Sequence, residues 1–177
     1  LHALEQQFQR IEQQLRNWRE VADDVREQRI HRYKLNELTD SLRQLMQISR
    51  PEAEIQWQSQ CNDKQQSILA DRTLLPALTS VIINACEAAL KSNDKCVLVS
   101  TNISELGWHL QIENEGKAMP EEAIASLGSR FFPSHEGHGI GAVLTNATIE
   151  KFAGKVNWQF KNGTMITTIY LPLDNTH

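Results

Sequence analysis

The chain is short of several things, and each shortage narrows what it can be. Only three of its 177 residues are cysteine, namely Cys61, Cys86 and Cys96. They form neither a CxxC pair nor a metal-ligand spacing, so a reducing cytosol is the default environment. No apolar run approaches the ~18–20 residues that a membrane span requires. The first residues are rich in Gln, Glu and Arg, which is not the pattern of a secretory signal. Lys and Arg number 18 against 22 Asp and Glu, a net charge of −4 without a dense basic stripe. That balance argues against nucleic acid as the main partner.

Glycine is missing from the first 106 residues, and all eight lie from Gly107 onward. Glycine serves where backbone takes unusual dihedrals or must approach a ligand closely. The early part of the chain is therefore expected to be regular structure, and any ligand cradle to lie after Gly107. With 40% hydrophobic and 23% charged residues the composition is that of an ordinary globular protein. The length suits one domain with an appendage. The first residue is Leu rather than Met, and the sequence is expected to be part of a longer protein.

Residues 1–29 carry apolar side chains at Leu1, Leu4, Phe8, Ile11, Leu15, Trp18, Val21 and Val25. The spacing alternates three and four, which is a coiled-coil seam rather than the wider stripe of a globular helix. Such a helix can pack on its own domain, but a narrow seam favours a hairpin or bundle completed by a partner subunit. Residues 30–177 then read as one α+β domain. Ile30–Leu35 alternates as a short strand, Asn36 caps a helix ended by Pro51, and further strands are expected at Ile55–Gln58 and Ser67–Leu69. A strongly apolar helix starts at Asp71 or Thr73. Strands follow at Val97–Thr101 and Trp108–Ile112, then a short helix near Glu121–Leu127 and another over Ile140–Phe152. Gly107, Gly128, Gly154 and Gly163 read as turns and helix ends, with a hairpin around Lys161–Thr164.

Three features carry chemistry. Gly137-His138-Gly139-Ile140-Gly141 leads into a helix, so unobstructed backbone N–H groups and a helix N-terminus suit a polyphosphate. Alone this is a weak pattern, and no strand and parallel βαβ unit precede it as a dinucleotide fold requires. Asn84 sits in an aliphatic helix, Ser80-Val81-Ile82-Ile83-Asn84-Ala85-Cys86-Glu87. It either ties a loop to that helix or offers a hard oxygen to Mg²⁺, with Glu87 one turn further on in support. Asn114, at the end of a strand and before Glu115-Gly116-Lys117-Ala118-Met119, is placed either to hydrogen bond a base edge or simply to form a loop.

In order and spacing these features resemble the nucleotide-binding boxes of the GHKL ATPases, most closely those of bacterial sensor histidine kinases. Ser80–Ala85 resembles the asparagine box, Asn114–Ala118 the first glycine box, Arg130–Ser134 the phenylalanine box and Gly137–Gly141 the second glycine box. The Leu144–Glu150 helix is similar to that of redox-responsive sensor kinases. The resemblance implies a Bergerat fold, a two-layer sandwich of mixed, mostly antiparallel sheet and helices. It also implies ATP and Mg²⁺ as cofactors. Asn84 would ligate Mg²⁺, and Asn114 would face the adenine amino group, with Gly116 giving room for the ring. Gly137, Gly139 and Gly141 would present backbone N–H groups to the phosphates, with 121–138 as a lid. Glu87, Ala118, Met119, Phe132, His138 and Ile140 would complete the cofactor-binding residues. The heptad helix would be the second helix of a dimerisation hairpin, in a four-helix bundle built from two chains. A response regulator would be the partner, and the parent a bacterial inner-membrane protein with this domain in the cytoplasm.

Four positions depart from the family pattern. Asn114 replaces the usual adenine-reading Asp, Ala118 the second glycine of its box, Ser80 an Asn or acid, and His135 a lid lysine. The phosphoacceptor context is absent from His2, His31, His109, His135, His138 and His177. A phosphotransferase whose target histidine lies upstream is therefore expected. The alternative is a degenerate module, with Asn114 and Ala118 at fault, that acts in dimerisation and docking. An ATP-driven clamp is disfavoured because Ser80 is a poor general base.

Overall fold

The structure, a computed structural model, describes residues 2–27, 29–59, 66–117, 120–127 and 138–176, the side chains of 20–27 and 138–141 excepted. A long helix, α1 (His2–Glu27), leads to β1 (His31–Lys34), α2 (Leu35–Ser49), β2 (Glu54–Ser59), β3 (Ser67–Ala70) and α3 (Leu74–Leu90). The chain continues through β4 (Cys96–Ser104), β5 (Gly107–Glu115), α4 (Glu121–Ala125), α5 (His138–Lys151), β6 (Lys155–Lys161) and β7 (Thr164–Leu171). Five strands form one sheet in the order β2-β4-β5-β7-β6, while β1 and β3 pair antiparallel as a separate two-stranded sheet. Within the larger sheet only β2 and β4 run parallel. The expected α+β, mostly antiparallel architecture is therefore the one observed.

Alternation along the central strands decides which face is covered. On β4 and β5, Val97, Val99, Trp108, Leu110 and Ile112 are buried, while Leu98, His109, Gln111 and Glu113 are only partly so. Alternate residues of a strand point to opposite faces, so one face carries the core and the other meets water. Helix α3 lies on β4 and β5, α5 lies on β6 and β7, and α2 packs against α3. Leu74, Leu78, Ile82 and Ala89 of α3 meet Leu38, Leu42 and Met46 of α2 in one core with the inward strand residues. Each fully buried aliphatic or aromatic side chain there stabilises the fold by roughly 1.5–3 kcal/mol.

Local structure corrects several sequence expectations. Helix α2 begins at Leu35 with Lys34 as an uncapped N-cap, so Asn36 lies inside the helix and is not its cap. The cause is packing: Leu35 is buried and its N–H donates to the Gln66 carbonyl at 3.0 Å, which fixes it as the first helical residue. At α3 the N-cap is Thr73, yet the capping oxygen comes from Asp71, whose Oδ1 accepts the Thr73 N–H at 2.9 Å. Helix α5 starts at His138, two residues before the expected Ile140. Its far end is a Schellman turn in which Gly154 N–H donates to the Ile149 carbonyl and Ala153 N–H to that of Glu150. The left-handed residue there is Ala153 (φ 60°), not Gly154. Gly154 is required for another reason, since a Cβ on it would lie 2.3 Å from the Tyr170 carbonyl oxygen. The hairpin at 161–164 is as expected, with Asn162 and Gly163 both at positive φ, the geometry of a type I′ turn.

The seam of α1 is open to water. Leu4, Phe8, Ile11, Leu15 and Trp18 are between 52% and 73% exposed along one helix. No helix among the described residues is long and apolar enough to cross a membrane.

Candidate nucleotide site

Helices α3 and α5 pack against each other over the sheet, with α3 lying over β5. Asn84 is a half-buried residue of α3 in a row with Ser80 and Ala88, spaced at one turn. No described residue hydrogen bonds its amide. Its carbonyl oxygen is the kind of hard donor that Mg²⁺ accepts.

Glu87, expected to support that role, is held elsewhere. Its Oε1 lies 2.5 Å from Nη2 of Arg50, the residue that closes the C-terminus of α2. Cys86 lies beside this pair. Burial first of all pushes its thiol up to about 11, with the Arg50 charge acting in the opposite direction. It is therefore an inert core thiol.

Asn114 lies at the end of the buried stripe of β5, between Val97 of β4 and Met165 of β7, and is 5% exposed. Its Nδ2 donates to the Glu115 carbonyl at 3.0 Å, and no described residue donates to its Oδ1. An acceptor inside an otherwise apolar stripe suits a ligand N–H. Beside it, a Cβ added to Gly116 would meet, among the described residues, only Asn114 Nδ2, at 3.6 Å. Gly116 thus adjoins open space, as a position flanking a flat ring requires, although its backbone is not left-handed. Helix α5 begins directly after Gly137, and its first N–H groups have no intrahelical acceptors. Ala118, Met119, Phe132, Gly137 and His135 lie outside the described residues. So do Cys61, Gly128 and the phenylalanine box over 130–134. Nothing is described of the side chains of His138 and Ile140.

Two tie-points that the motifs did not reveal hold these parts in place. Ser92, just past α3, has its Oγ 3.0 Å from the Glu115 carbonyl, so the Asn84 helix is tied to the Asn114 strand. At the other end of α3, Asp71 accepts from Lys151 of α5 and from Thr73, while Tyr33 donates to the Asp71 carbonyl. Burial of Asp71 raises its pKa, but the hydrogen bonds from Lys151 and Thr73 outweigh it, and the net result is below the usual carboxylate value. The only signals available in sequence were a Ser after the helix and an Asp three residues before it, and both are common in loops.

A cavity of about 600 Å³ opens at the end of β5 itself, lined by Gln56, Asp94, Cys96, Glu113, Asn114 and Glu115 among others. Most of these residues belong to the uncovered side of the sheet. Three carboxylates make it unsuited to a triphosphate, so the candidate site is the region between α3, α5 and the end of β5. Among the described residues no cluster of His, Cys, Asp and Glu could hold a metal by itself. A divalent ion here would rely on Asn84 together with phosphate oxygens, the usual situation of Mg²⁺.

Two helices and a strand end, with isolated amides and the free N–H groups of a helix start, form an α+β sandwich. Residues 74–175, more than half of the chain, match the family described as histidine kinase-, DNA gyrase B- and HSP90-like ATPases, and the chain belongs to that family. Among solved structures it is similar to the nucleotide-free catalytic domain of histidine kinase ThkA, at 20% identity and a TM-score of 0.68, over 81% of this chain and 95% of that one. The Acinetobacter baumannii histidine kinase AdeS matches 95% of this chain and 84% of its own at 18% identity and a TM-score of 0.64. Full-length ShkA in complex with AMPPNP matches 83% of this chain and 32% of its own, at 18% identity and a TM-score of 0.63. At these identities the likeness is one of fold. No curated protein matches the sequence.

Proposed function

We propose that this chain is the ATP- and Mg²⁺-binding catalytic part of a dimeric sensor histidine kinase, passing the γ-phosphoryl group to a histidine upstream of this sequence. The observation that carries the proposal is Asn114. It is a buried amide whose acceptor oxygen is unclaimed by any described residue, at the end of a strand inside the region that matches the family. In this reading Asn114 Oδ1 accepts from the adenine amino group and Gly116 leaves room for the ring. The backbone N–H groups of Gly137, Gly139 and Gly141 meet the phosphates. Asn84 would hold Mg²⁺, which when bound neutralises phosphate charge and orients the γ-group for in-line transfer. The protein contributes position and electrostatics rather than covalent chemistry. The exposed α1 seam is the surface that would pair with a second copy, and a response regulator would receive the phosphoryl group in turn. A membrane-anchored parent completes the scheme.

A second reading has its own observation. Asn114 lacks the negative charge of an Asp, and its Nδ2 is already committed to the Glu115 carbonyl. On that ground the domain is a non-binding module for dimerisation and docking. Calorimetric titration with Mg-ATP separates the two: saturable binding below millimolar supports the kinase reading, and none at millimolar ATP defeats it.

A further inference from the structure

Arg50 belongs to no sequence box, yet it crosses to the helix that carries Asn84. It closes α2, its N–H donating to the Met46 carbonyl at 2.8 Å, and Pro51 prevents the helix from continuing. From there its guanidinium crosses to α3, with Nη2 2.5 Å from Glu87 Oε1 and Nη1 3.9 Å from Glu52 Oε1. The Arg50 side chain is 21% exposed and that of Glu87 40%, so the pair is half sheltered from solvent. Glu87 follows Asn84 by three residues, which on a helix sets their Cβ atoms about 5–6 Å apart on one side. A carboxylate free to turn toward Asn84 would compete with phosphate oxygens for a cation and would repel the triphosphate. Held by a guanidinium N–H from another helix, it does neither.

We propose that Arg50 is a positioning residue for the nucleotide phosphates, acting through Glu87: it neutralises and holds back the carboxylate that follows Asn84 by three residues on α3. The inference rests on the ATP-binding reading and extends it to a residue outside the nucleotide boxes. Its signature is dependence on ligand charge. Loss of Arg50 uncovers a negative charge that opposes phosphates and is indifferent to a nucleoside.

The test is calorimetric titration of the whole chain with Mg-ATP, Mg-ADP and adenosine, with melting temperatures recorded for each variant. Arg50→Met is expected to weaken ATP about tenfold and ADP less, leaving adenosine within about twofold. Glu87→Gln should bind ATP within about twofold of the unaltered chain, and the double variant should recover the affinity that Arg50→Met loses, since the opposing charge is gone. Equal weakening of ATP and adenosine would reduce Arg50 to a scaffold role and overturn the proposal. So would a double variant as weak as Arg50→Met, or a Glu87→Gln variant as weak as either. Should Arg50→Met fail to fold, Arg50→Lys keeps the charge but holds Glu87 less firmly with its flexible ammonium; it should weaken ATP about threefold and spare adenosine, and a uniform loss again overturns the idea. If the unaltered chain binds adenosine but shows no preference for ATP, this inference fails while the adenine site stands. If it binds neither, the ATP-binding reading fails with it.

Discussion

Replacing Asn114 by Asp changes one atom, and the fold assigns that change opposite signs with and without nucleotide. In the free protein Nδ2 donates to the Glu115 carbonyl at 3.0 Å from a side chain that is 5% exposed. A carboxylate in its place loses the donor and sets an anionic oxygen against a carbonyl oxygen. Val97 and Met165 flank the position on the neighbouring strands, and neither side chain can donate a hydrogen bond. Ser92 Oγ still serves the Glu115 carbonyl, so that acceptor is not orphaned. The uncovered cost is the buried charge, and the free domain should lose about 2–4 kcal/mol of stability at neutral pH. Burial without a partner raises the pKa of the introduced carboxyl. The folded state then binds more protons than the unfolded one, so the deficit is full at neutral pH and fades as pH falls toward the ordinary Asp value of about 3.9.

With ATP present, the same oxygen accepts from the adenine amino group with charge assistance. That exchange is worth on the order of 1 kcal/mol, or about fivefold in affinity. Asn114→Asp should therefore melt lower than the parent without ligand, and its melting temperature should rise further on addition of Mg-ATP. Thermal melts at several ATP concentrations, backed by calorimetry, read both quantities from one sample. An unchanged melting temperature without ligand together with unchanged ATP affinity would refute the placement of Asn114 against adenine. Binding that appears only in the variant would favour the non-binding module for the parent chain.

Two further expectations concern the frame around the site. The folded Asp71 carboxyl titrates below its unfolded value, so its contribution to stability is present above about pH 3.9 and is lost as pH falls through the folded pKa. Lys151→Met leaves that 2%-exposed carboxylate with Thr73 alone among the described residues and should cost about 2–3 kcal/mol at pH 7, narrowing below pH 4; a deficit independent of pH in urea melts would contradict this. At the end of α5, Gly154→Ala should destabilise by about 3 kcal/mol or more, because the new Cβ meets the Tyr170 carbonyl at 2.3 Å and Ile149 Cγ2 at 2.7 Å. Ala153→Gly should instead stabilise by about 0.5–1 kcal/mol by relieving the left-handed alanine, and denaturant midpoints with unchanged m-values would verify both.

What could be read from sequence and what could not follow different physics. Strands β4 and β5, the apolar α3 and the Asn162-Gly163 turn are written as local patterns, and packing only confirms the preference each already has. Asn84, Asn114 and Gly116 stand out for a related reason, being amides and a glycine where the surrounding pattern calls for aliphatic residues. The missed features are pairings between distant segments: Arg50 with Glu87, Asp71 with Lys151, and Ser92 with the end of β5. None has a spacing rule, because the partners meet only once the helices lie on the sheet. Gly154 shows the same limit from the other side. Position alone assigns it the helix end, yet the left-handed dihedral falls on Ala153, because the crowding at Gly154 comes from strand β7. Glu87 was legible as a residue near Asn84 but not as one already engaged. That engagement makes Arg50, rather than any box residue, the sharpest place to ask how charge is managed around the phosphates.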